Sequence, residues 1–121
     1  ADWFGIPNIM LSEDSVDPYN PKVVRSSMGS LFHLSIFESQ NVEQSLLKLK
    51  TSYKIISLDT KGKNLDALKP GSKTIYVFGS ESQGLNPELE NLIDERYTIP
   101  GRGEAESLNL AVAAGILMSK M

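Results

Sequence analysis

The stretch Thr74-Ile75-Tyr76-Val77-Phe78, followed at once by Gly79-Ser80-Glu81-Ser82-Gln83-Gly84, sets the architecture of this 121-residue chain. Five consecutive β-prone residues without polar alternation are the pattern of a strand covered on both faces, as strands of parallel sheets are. Downstream, Asn86-Pro87-Glu88 supplies a side-chain cap, a proline at the first helical position and an early acid, which predicts a helix to about Ile93. Arg96 to Ile99 reads as another strand, Pro100-Gly101-Arg102-Gly103 as a second glycine loop and Ser107 to Met118 as a closing helix. Upstream, Tyr53 to Leu58 is a strand, and Thr60 to Ser72 is polar, Lys-rich and closed by Lys69-Pro70-Gly71. Val42, Leu46, Leu47 and Leu49 give Asn41 to Lys50 the spacing of an amphipathic helix. Asn20-Pro21 and Gly29 bracket a short helix, Pro21 to Met28, and Ile6 to Leu11 reads as a buried strand. Strands alternating with helices predict an α/β domain over residues 1–121 with a mostly parallel sheet flanked by helices.

Composition narrows the function. The chain carries 12 Lys+Arg against 15 Asp+Glu, 40% hydrophobic residues and no cysteine. The absence of cysteine excludes a disulfide scaffold, a thiolate nucleophile and a cysteine zinc site within these residues. The net charge of −3 argues against a module built only to hold nucleic acid, whose affinity rests on many phosphate contacts. The average hides the stretch Lys48 to Lys73, with seven lysines against only Asp59 and Asp66, which is either a solvated lysine surface or a rim facing a polyanion. With no secretory signal and no apolar run of about 20 residues, the expectation is a soluble cytoplasmic protein.

Ligands of open parallel sheets sit beyond the carboxyl ends of strands, where glycines let the backbone approach. Two loops qualify, one after Phe78 and one after Ile99. The second matches only the first two glycines of a dinucleotide fingerprint, because Glu106 stands where the third belongs. A nicotinamide site is therefore not expected. From Leu108 to Met118 every residue except Asn109 is apolar or glycine, so the closing helix should be buried, in the core or against a second subunit. Asn109 and Ser107 either cap that helix or bond to something specific. Glu81 either orders its loop or acts on a ligand. His33, the single histidine, reads as a packing or loop residue with no metal partners, and Trp3 and Phe4 read as core anchors. Ala1-Asp2-Trp3-Phe4-Gly5 has the form of a last helical turn stopped at glycine.

Three segments in this order resemble the SpoU/TrmH family of RNA ribose 2′-O-methyltransferases, within the SPOUT superfamily. They are Asn20-Pro21-Lys22-Val23-Val24-Arg25-Ser26-Ser27-Met28-Gly29-Ser30-Leu31-Phe32, then Phe78 to Leu85, then Ile99-Pro100 with Glu106-Ser107-Leu108-Asn109-Leu110-Ala111-Val112-Ala113. The resemblance spans essentially the whole chain. It implies a deep C-terminal trefoil knot and a homodimer formed through the final helix. It implies S-adenosylmethionine held by Phe78, Gly79, Ser80, Gly84, Ile99, Pro100, Ser107, Leu108 and Asn109. Glu81, Ser107 and Asn109 would form the catalytic centre of methyl transfer to ribosomal or transfer RNA, and Arg25 would meet RNA phosphate. Gly101 departs from the methionine common after Ile-Pro in relatives. The opening Ala1 to Gly5 is similar to the tail of the family's first motif, whose arginine would fall two residues before Ala1. The chain is thus expected to be an N-terminally incomplete methyltransferase domain, inactive alone. The competing expectation is a cofactor-binding or dimerisation module without chemistry.

Overall fold

The computed structural model describes residues 1–80 and 83–121 and divides into two compact units, Ala1–Ser45 and Leu46–Met121. In the first, strand β1 (Asn8–Ser12) pairs in parallel with β2 (Ser35–Ser39), with Ile9 opposite Ile36 and Met10 opposite Phe37. Between them lies helix α1 (Pro21–Ser26), whose cap is the one the sequence predicts: the Asn20 side chain accepts the Lys22 amide, and proline opens the first turn. The turn Asp2–Phe4 stops at Gly5 in the left-handed region (φ 70°). Trp3 and Phe4 are not core anchors, however, for Trp3 is 92% exposed and Phe4 is also exposed. His33 ends the 3₁₀ turn Ser30–His33, and its ring Nδ1 lies 2.9 Å from the Asp2 carboxylate. This pairing holds the Asp2 carboxyl below the usual range.

Helix α2 (Val42–Leu49) leads into the second unit, where strand order is β4-β3-β5, with every pairing parallel. Strand β3 (Lys54–Asn64) is central, β4 (Thr74–Phe78) lies on one side and β5 (Glu95–Thr98) on the other. The buried stretch of the sheet is therefore in β3, at Ile55, Ile56 and Ser57, whereas β4 is half-buried along its whole length. The sequence placed that character on β4 because its apolar run is longer, but the centre of a sheet is set by crossover order. Strand β3 also runs six residues past Leu58. Its pairing with β5 resumes after a register shift, so that both Leu58 and Lys63 align with Tyr97. In between, Gly62 passes so close to β5 that a Cβ there would meet the Arg96 carbonyl carbon and oxygen at 2.8 Å.

The core of this unit is built from Ile56, Leu65, Leu68, Tyr97 and Leu117, with Phe78, Ile99 and Ile116 packed against it. Asp94, just before β5, accepts the Ile55 amide at 2.8 Å and pairs with Lys50 at 3.0 Å, and these contacts hold its carboxyl below the usual range. The segment Pro87–Leu92 is a 3₁₀ helix rather than an α-helix, capped by Asn86 as expected. Helix α3 (Leu110–Met118) starts three residues later than predicted, since the Asn109 side chain caps it by accepting the Ala111 and Val112 amides. Only its carboxyl half is packed: Leu117 is buried, while Leu110, Ala111 and Val112 are exposed.

Candidate functional site

Beyond the carboxyl ends of β4 and β5, beside the register shift of β3, lies an open cleft of about 980 Å³. Strand β4 contributes Phe78, then Gly79, Ser80, Gly84 and Leu85 of the loop that follows; β5 contributes Thr98, then Ile99 to Gly103; Ala105 to Leu108 and the inner side of α3 complete the wall. Parallel strands end at the same level, which brings segments twenty residues apart in the chain to one rim.

The first loop is locked by its own backbone. Ser80 and Gly84 exchange two amide-to-carbonyl bonds of 2.9 Å, and the Ser80 hydroxyl accepts the Gln83 amide at 3.0 Å. Gly84 turns at φ 73°, a conformation that strains residues with a side chain. Gly79 lies so near that a Cβ on it would overlap the Gly84 carbonyl and the Leu85 nitrogen. The glycines thus bring main-chain groups to the edge of the cleft without side chains in the way.

Of the residues singled out from sequence, Phe78, Gly79, Ser80, Gly84, Ile99, Pro100, Ser107 and Leu108 all line this cleft. Asn109 adjoins it as the cap of α3. Glu81 lies outside the described residues. Arg25 is exposed in the last turn of α1, in the other compact unit. The sequence analysis missed Leu58-Asp59-Thr60, which lie within β3 where its pairing with β5 breaks register and which also line the cleft. The sequence reading ends this strand at Leu58, so the strand-end rule that selected Phe78 and Ile99 applies equally there, but the lysines after it gave that segment the look of a solvated loop. Asp59 is anchored: its carboxylate accepts the Thr60 amide at 2.6 Å and lies 3.3 Å from Nη1 of Arg96, whose Nη2 pairs with Glu90. Thr98 Oγ1 donates to the Thr60 carbonyl at 3.2 Å and ties the β5 end to the same wall.

The lysine-rich stretch is partly neutralised from β5. Lys50 pairs with Asp94 at 3.0 Å, and Lys54 and Lys63 share Glu95 at 3.0 and 3.6 Å. The Tyr97 hydroxyl donates to Glu95 at 2.7 Å, which with Lys54 lowers the Glu95 carboxyl and in turn raises the Tyr97 hydroxyl. These three lysines serve the sheet, and no polyanion is needed to account for them.

The family model of the SpoU rRNA methylases matches residues 1–119. This chain belongs to that family. Among solved structures, a putative RNA methyltransferase of the TrmH family from Porphyromonas gingivalis superposes with a TM-score of 0.90 at 35% identity, over 98% of this chain and 49% of that one. The SpoU methyltransferase AviRb from Streptomyces viridochromogenes, solved in complex with AdoMet, gives a TM-score of 0.84 at 28% identity over 97% of this chain and 49% of its own. Among sequences, a 23S rRNA (guanosine(2553)-2′-O)-methyltransferase of Bacillus subtilis is 30% identical over 98% of this chain and 48% of its length. The SpoU-family chain described here thus spans about half the length of the relatives it matches.

Proposed function

We propose that this chain forms the donor-binding half of an RNA ribose 2′-O-methyltransferase and holds S-adenosylmethionine in the cleft beyond β4 and β5. The observation that carries this is convergence: the loop after Phe78, the loop after Ile99 and the approach to α3 share one wall-to-wall space. Its volume lies at the upper end of the range of about 300–1,000 Å³ usual for small-molecule sites. Its walls also suit the ligand. Leu58, Phe78, Ile99 and Leu108 offer apolar surface for a purine, and the glycine-bearing turn offers backbone donors and acceptors for polar edges.

When bound, S-adenosylmethionine supplies a methyl group activated by its sulfonium. The chain's part is to hold the donor, to bring a ribose 2′-hydroxyl into line and to take its proton, since that hydroxyl is a weak nucleophile. We assign donor contacts to Phe78, Gly79, Ser80, Gly84, Ile99, Pro100 and Leu108. Proton handling and orientation go to Ser107, Asn109 and Glu81, and a phosphate contact to Arg25. The apolar walls keep water from competing with the ribose hydroxyl. We further infer from the family a C-terminal trefoil knot, a homodimer through α3, a cytoplasmic setting and an rRNA or tRNA substrate. The Lys120–Asp66 pair of 2.9 Å, which brings the last described residues beside the β3–β4 connection, is in keeping with the knot.

None of the residues assigned above takes the role of the family's hydroxyl-activating arginine. We therefore expect this chain to bind the donor at micromolar concentration in calorimetry and to transfer no methyl to RNA. Absence of binding overturns the donor assignment, and turnover by this chain alone overturns the need for that arginine.

A further inference from the structure

We propose that Asp59 makes the cleft prefer the cationic methyl donor over its neutral product. This rests on the donor site proposed above and goes beyond it, because it names the group that distinguishes two ligands differing by one methyl and one charge.

Asp59 occupies the first position after the central strand's Leu58, where the cleft wall is built from β3. Its carboxylate is fixed on two sides, by the Thr60 amide and by Arg96. Arg96 does not neutralise it outright, because the same guanidinium also pairs with Glu90. Two carboxylates share one cation, so the network Asp59–Arg96–Glu90 carries a net charge of −1 at neutral pH. Among the described residues, the other charged side chains of the wall, Arg102 and Glu106, are both exposed and of opposite sign. Asp59 is only partly exposed, with 31% of its side chain open to solvent, so its field is screened less than theirs. An anchored negative charge that no other described wall residue balances favours a ligand bearing a positive charge. S-adenosylmethionine carries that charge on sulfur. S-adenosylhomocysteine, left after the methyl departs, has a neutral thioether there and keeps the adenosyl and amino-acid ends unchanged. Charge preference at Asp59 would hold the donor and release the product.

The test is titration calorimetry of the whole chain with S-adenosylmethionine and, separately, with S-adenosylhomocysteine. Asp59→Asn keeps the size of the side chain and its oxygen toward the Thr60 amide while removing the charge. The ratio of donor to product affinity is expected to fall about fivefold in Asp59→Asn, with a flatter salt dependence of donor binding. Glu43→Gln, which removes an exposed acid of α2 outside the cleft lining, is expected to leave the ratio near the wild-type value. A fold defect in Asp59→Asn would lower both affinities together, so the ratio separates charge preference from damage. The proposal is overturned if both affinities fall in parallel, if neither changes, or if Glu43→Gln moves the ratio as far as Asp59→Asn does. Wild-type chain that binds neither ligand removes the donor site itself. Binding of both ligands with an unmoved ratio in Asp59→Asn removes only the role given to Asp59.

Discussion

A methyl group on Gly79 would occupy the space of the Gly84 carbonyl, so the turn that presents backbone to the cleft exists only with glycine at this position. Gly79→Ala must open the Ser80–Gly84 pairing. We expect it to reduce S-adenosylmethionine affinity at least tenfold by calorimetry, whereas Gly101→Ala, with no atom within 4 Å of the added carbon, should leave the fold's melting temperature unchanged. Undiminished affinity in Gly79→Ala would detach the turn from the site. Residues of this kind were legible in the sequence because a glycine ending an apolar run has a direct steric meaning. Trp3 and Phe4 misled because the rule that apolar residues go inside runs one way only, and much of any folded surface remains apolar. Asp59 escaped notice because nothing in its neighbours reveals that Arg96, 37 residues away, anchors its carboxylate.

Among the elements, β3 is the one that sequence reasoning cut short. Local pattern supports a strand only to Leu58, and the extension is held at its far end, where Lys63 and Asn64 pair with Tyr97 and Thr98 of β5. Gly62 is the hinge of that arrangement. A Cβ there would lie 2.8 Å from the Arg96 carbonyl and 2.9 Å from the Tyr97 nitrogen, both main-chain groups that a rotamer change cannot move. Gly62→Ala is expected to cost about 1–3 kcal/mol in urea unfolding, as overpacked interiors do; a loss under about 0.5 kcal/mol would show that the crossing is loose. Strand β2 escaped the sequence reading for a related reason, since Ser35-Ile36-Phe37-Glu38-Ser39 is too polar to declare itself without β1 beside it. The β3–β5 junction also sets a pH response. Asp94 is held below its ordinary value by the Ile55 amide first and by Lys50 next. A carboxyl depressed in the folded state contributes stability that is present above its unfolded value and lost as pH falls through the folded one. The urea midpoint should therefore decline below about pH 4, and Asp94→Ala, less stable at neutral pH, should decline less over that interval. An equally steep decline in the variant would move the acid sensitivity to other carboxyls, Glu95 first.

At the scale of the whole molecule, the unsettled surface is the amino half of α3. Its composition predicted burial, and the structure divides the helix: Leu117 sits in the core while Leu108, Leu110 and Val112 remain exposed. A helix apolar on all sides with one half uncovered is the surface that the proposed homodimer would bury. Leu108 and Leu110 also line the donor cleft, so association and ligand binding would draw on one segment. Val112 lies outside the cleft lining and is 50% exposed, which makes it the position where a charge should disturb association with little effect on the monomer's fold. Sedimentation velocity is expected to show a dimer at tens of micromolar for the wild-type chain and a monomer for Val112→Glu, with matching far-ultraviolet circular dichroism. A wild-type monomer at that concentration would end the dimer proposal. A Val112→Glu dimer would place the interface elsewhere, and the exposed half of α3 would then need another partner to cover it.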